Sequence, residues 1–72
     1  MMSWSVSVYS SMVSEVGWDS DSNEILVTWA RSGKRSAYAG ADESVALELS
    51  KAPSVGQMIH QEIRPYYAHR YV

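Results

Sequence analysis

Gln57, His60 and Arg64 recur at steps of three and four near the end of the chain, a spacing that places side chains on one helical face. An arginine on such a face can fork onto a phosphate through two parallel hydrogen bonds. The helix would begin at Ser54-Val55-Gly56. Helix starts leave backbone N–H groups free and carry partial positive charge, so they suit anions. Gly56, at the second helical position, would let a ligand approach the backbone. Beyond Pro65 the chain turns aromatic and basic, with Tyr66, His69, Arg70 and Tyr71. A tyrosine face can stack on a base, worth ~1–3 kcal/mol. The candidate ligand-binding set is therefore Ser54, Gly56, Gln57, His60, Arg64, Tyr66, His69, Arg70 and Tyr71. Each also has a plainer use: Ser54 as a cap, Arg64 as an ion-pair partner, the tyrosines as interface anchors.

Catalytic patterns are missing. The sequence has no Gly-Xaa-Ser-Xaa-Gly elbow, no Ser-Xaa-Xaa-Lys, no P-loop and no dinucleotide fingerprint. His60 or His69 could act as a general base, but no partner carboxylate follows from spacing. A non-catalytic protein is expected. Asp19, Asp21 and Asn23 match the first ligands of a calcium loop. Glu24 then stands where the loop needs glycine, and Ala30 where it needs glutamate. No metal or cofactor is expected.

The 72 residues make one domain without cysteine. A chain this short buries only about 60% of the surface its unfolded form exposes, so a homo-oligomer is expected to supplement the core. No apolar run approaches the ~18 residues of a membrane span, and the start lacks the basic segment of a signal peptide. A soluble, cytoplasmic protein is expected. Net charge is −2, which argues against a duplex-DNA binder. The charge is uneven, however. Residues 51–72 hold Lys51, Arg64 and Arg70 against Glu62 alone.

Four strands and two helices would position these groups. Residues 3–8 alternate Ser with Trp4, Val6 and Val8, the period of a half-buried strand whose uncharged edge could pair with another chain. Residues 12–18 read as a second strand, with a bulge at Gly17. The turn over residues 19–23 leads into residues 24–31, apolar on both faces and so expected to be central. Ser32-Gly33 turns the chain into residues 34–39. Asp42 would cap a helix burying Val45, Ala46, Leu49 and Ala52, ended by Pro53. Ser54 and Gln57 have capping-box spacing for the next helix, whose stripe is Val55, Met58, Ile59 and Ile63. Pro65 would end it by forcing Arg64 out of the helical region. Trp4, Trp18 and Trp29 are assigned to the core, and Tyr38 to packing. The expected fold is α+β: a small antiparallel meander of three to four strands, then two short helices packed on one face.

In that order the parts resemble the KTSC domain over about residues 10–67, residues 1–9 being an extra N-terminal strand. The resemblance rests on Val16-Gly17-Trp18-Asp19, on Ile25, Val27 and Trp29, and on Gly33. It continues through Tyr38-Ala39-Gly40 and Ala52-Pro53-Ser54-Val55-Gly56 to Ile63-Arg64 and Tyr67. The chain departs from the pattern at Ser36, where the family usually has tyrosine, and at Ile59 and His60, where it often has an aromatic then asparagine. The family takes its name from the C-terminus of some lysyl-tRNA synthetases and includes free-standing bacterial and phage proteins. The resemblance implies a link to RNA by association, and no defined activity.

The function expected is a non-catalytic module that binds a nucleotide or short single-stranded nucleic acid. For a phage-type member in the host cytoplasm, the concrete form is capture of a cyclic nucleotide signal. The alternatives are an assembly module, using the edge strand of residues 3–8 with the C-terminal tyrosines, and a small phosphodiester hydrolase.

Overall fold

A computed structural model describes residues 3–72. Strands β1 (Trp4–Ser7), β2 (Val13–Asp19), β3 (Glu24–Trp29) and β4 (Arg35–Ala39) follow one another. Helix α1 (Glu43–Ser50), helix α2 (Val55–Met58) and a wider π-helical segment (Ile59–Ile63) come next, and strand β5 (Ala68–Tyr71) closes the chain. The strands form one antiparallel sheet in the order β1-β2-β3-β4-β5. The meander is therefore five-stranded, not three- or four-stranded. The aromatic tail is the fifth strand, laid along β4 after the helices. Four exposed residues carry no alternation of their own, so only the free edge of β4 makes them a strand.

The helices cover one face. Ile25 and Val27 of β3, Val16 and Trp18 of β2, and Tyr38 of β4 meet Ala46 and Leu49 of α1 there, together with Val55, Ile59 and Ile63. β3 is central, as its apolar content on both faces implied. Trp4 donates its indole N–H to Glu43 Oε2 at 2.8 Å, tying the edge strand to the start of α1.

Several local expectations are corrected. The bulge lies between Val13 and Glu15; Gly17 pairs regularly with Leu26. Asp42 and Ser54 occupy the positions before their helices, but neither side chain caps. Arg64 stays helical, at φ −56° and ψ −41°, although a proline follows. The turn widens instead: the Arg64 N–H reaches back to Ile59 O at 2.7 Å.

That widening matters for the site. A π-helical residue advances by less than the 100° of an α-helix, so each later side chain lags behind its α-helical direction. By Arg64 the lag turns it away from Gln57, and the two line different clefts.

Candidate ligand-binding cleft

Tyr38 stands on β4 directly opposite His69 on β5, and Ser36 opposite Tyr71. All four therefore sit on the helix-covered face. The π segment crosses above them and contributes Ile59, His60 and Arg64, while Trp29 at the end of β3 forms a side wall. A cleft of about 370 Å³ remains between these groups. Its size falls at the low end of the ~300–1,000 Å³ typical of small-ligand sites.

The rings are ordered against one another. Tyr38 and His69 centroids lie 5.1 Å apart and tilted. His69 and Tyr71 lie 4.7 Å apart, edge to face. Lys34 Nζ sits 5.7 Å from the Tyr71 ring centre, within cation–π range. Below the rings, Ser36 is fully buried. Its Oγ accepts from Trp29 Nε1 at 2.7 Å and lies 2.8 Å from His69 Nε2.

The electrostatic balance is one-sided. No carboxylate lines the cleft. Among the described residues, Arg64 makes no salt bridge and the Tyr38 hydroxyl no hydrogen bond. Burial pushes the Tyr38 phenol pKa up, and the positive charge of Arg64 pulls against it. The phenol thus remains a protonated donor near a free guanidinium.

The cleft brings together His60, Arg64, His69 and Tyr71 from the candidate set. The others stand elsewhere. Ser54 and Gln57 line a separate shallow cleft with Gln61 and Glu62. Tyr66 is 74% exposed, outside both. Arg70 lies on the opposite face of β5, because side chains alternate along a strand, and forks onto Glu24. Gly56 is buried, and a Cβ placed there would come 3.0 Å from Met12 Sδ. The space its missing side chain leaves is already taken, so it offers no ligand an approach. Tyr38, expected to pack, and Trp29, expected in the core, both line the site. Their signal was the strand alternation, which puts them on the face that β5 later borders.

A five-stranded antiparallel meander with helices inserted before its last strand defines a small α+β module. The chain belongs to the KTSC domain family, whose model matches residues 9–67. A crystal structure of a KTSC domain protein from Yersinia pestis is similar, with a TM-score of 0.85 at 22% identity. The match covers 100% of this chain and 99% of that one, and at that identity it shows the shared fold. No curated protein matches the chain in sequence. Among the described residues, no helix is long and apolar enough to cross a membrane.

Proposed function

We propose that this chain is a non-catalytic module that holds a nucleotide, or one nucleotide of a short single strand, in the cleft between the π segment and β5. The observation that carries this reading is the lining: Arg64 and His60 beside the rings of Tyr71, Tyr38 and Trp29, with no acidic side chain among them. Arg64 meets the phosphate, because a guanidinium without a protein partner is satisfied best by an anion. Tyr71 offers the exposed ring face on which a base can stack. The cleft volume suits a single nucleotide unit. Capture of a cyclic nucleotide signal is the specific form that fits a small protein without a catalytic constellation.

The test is affinity for a panel of cyclic nucleotides, nucleoside monophosphates and short oligonucleotides at about 100 mM salt, where the Debye length is about 10 Å. Binding should be saturable, and the ligand should be recovered chemically intact. Failure of every ligand to bind would remove the reading. A cleaved ligand would point to the hydrolase alternative.

The second reading is assembly through β1. It is an edge strand, Val6 is exposed on it, and residues 3–8 carry no charge to discourage pairing with another chain. A homo-oligomer built this way would leave the cleft open at the far edge of the sheet.

A further inference from the structure

Ser36 has no surface of its own, yet it governs a group that does. Its Oγ sits between Trp29 Nε1 at 2.7 Å and His69 Nε2 at 2.8 Å. An indole N–H can only donate, so one lone pair of Ser36 Oγ is committed to Trp29. The serine hydrogen then needs an acceptor, since a buried hydroxyl without one is costly. His69 Nε2 is the acceptor within reach. A ring nitrogen that accepts carries no proton, so in the neutral ring the proton is on Nδ1.

We infer that Ser36 is a positioning residue that sets neutral His69 in its Nδ1–H form, placing a hydrogen-bond donor at the cleft wall. Tyr38 and Tyr71 pack against the ring and limit its rotation. Nε2 is occupied by Ser36, and among the described residues Nδ1 has no protein partner. Nδ1 is therefore the nitrogen left to meet a ligand. The inference rests on the cleft being a ligand site and adds a division of labour to it. Arg64 supplies charge; His69 supplies direction, toward a phosphoryl or base carbonyl oxygen.

The experiment reads the tautomer directly. In the uniformly ¹⁵N-labelled full chain at about pH 8.5, where an ordinary histidine is neutral, two-bond proton–nitrogen correlations distinguish a protonated from a bare ring nitrogen. His60, exposed and without a hydrogen-bond partner among the described residues, serves as the internal reference. His69 should show a protonated Nδ1 and a bare Nε2, opposite to the form that free histidine prefers. Ser36→Ala should return it toward the Nε2–H form and shift the Trp29 indole signal. A bare Nδ1 in the unmodified protein would overturn the inference, as would an unchanged tautomer in a natively folded Ser36→Ala. If that variant does not fold, the unmodified protein alone decides. Titration with guanosine 5′-monophosphate forms a separate arm. Loss of the aligned donor should weaken binding by up to about tenfold, the size of one hydrogen bond. Absence of binding in the unmodified protein would overturn the ligand reading of the cleft, while the nitrogen signals would still decide what Ser36 does to His69.

Discussion

Arg70 and Glu24 meet in a two-pronged fork across the open face of the sheet, Nε to Oε2 at 2.9 Å and Nη2 to Oε1 at 2.8 Å. The pair spans from β5 to β3 over β4, where Ala37 and Ala39 are small enough to leave room. Glu24 is only 3% exposed, whereas the Arg70 side chain is 62% exposed. The fork thus closes a wet lid over a buried carboxylate and pins the last strand in register.

That relationship sets a pH dependence. The hydrogen bond from Arg70 holds the Glu24 carboxyl below its ordinary range. A carboxyl with a lower pKa folded than unfolded stabilises the fold above its unfolded value, and the stabilisation is lost as pH falls through the folded value. Thermal midpoints should therefore be level near neutral pH and fall below about pH 4, around the ordinary glutamate range. Arg70→Ala should lower the midpoint at pH 7 and flatten the acid limb, because the largest interaction holding the carboxyl down is gone and only the smaller one from Ser22 remains. Parallel acid limbs in both proteins, followed by circular dichroism, would disprove the linkage.

Arg64→Gln should separate binding from folding. The side chain has no ion pair among the described residues, so its loss should leave the thermal midpoint nearly unchanged. Charge-assisted hydrogen bonds are worth ~1.5–3 kcal/mol, so nucleotide affinity should drop by about 10- to 150-fold. Arg70→Ala should leave affinity almost intact, because Arg70 faces the other side. Calorimetric titration of the two variants side by side makes the comparison, and an equal loss in both would remove Arg64 from its role.

Tyr71→Leu keeps an apolar side chain at the cleft rim but removes the flat ring. Stacking supplies ~1–3 kcal/mol, so affinity should fall by roughly 5- to 150-fold. Trp29 lines the same cleft, so its fluorescence should respond to ligand in both proteins. A variant that binds as tightly as the parent would show that no base rests on this ring.

Leu49→Ala tests the core that supports the site. Leu49 is fully buried between α1 and the sheet, and such truncations cost about 2–5 kcal/mol. For a domain this small that is a large share of a margin of ~0.05–0.15 kcal/mol per residue. Urea denaturation should show a much lower midpoint at similar slope. A loss under about 0.5 kcal/mol, the range of ordinary surface changes, would mean the helix does not pack as described.

Val6→Lys addresses assembly. A lysine on an uncharged edge strand opposes pairing with a second edge. If copies join through β1, native mass spectrometry should show the oligomer giving way to monomer with nucleotide affinity retained. An oligomer that survives the change would have to be built on another surface.

Much of the fold was legible because its cause is local. The alternation of Ile25, Val27 and Trp29, the turn at residues 19–23 and the stripe of Val55, Ile59 and Ile63 all follow from backbone periodicity. Asn23 does adopt the left-handed conformation its turn requires, at φ 55°, as does Gly33 at φ 71°. The site was legible only in part. His60, Arg64, His69 and Tyr71 could be named as candidates, but so were Gly56 and Arg70, and spacing could not separate them.

What the amino-acid order determined by itself was which residues prefer water, which turn the chain, and that an arginine, two histidines and several tyrosines crowd its end. Only the folded chain decided which of them face one another. Ala68–Tyr71 has no strand pattern until β4 offers an edge, and pairing with that edge sends His69 and Tyr71 to one side and Arg70 to the other. The π turn then parts Arg64 from Gln57, which lines a separate cleft. Strand pairing and helix widening act between segments distant in sequence or across a whole turn, so no local reading of side-chain types can specify them.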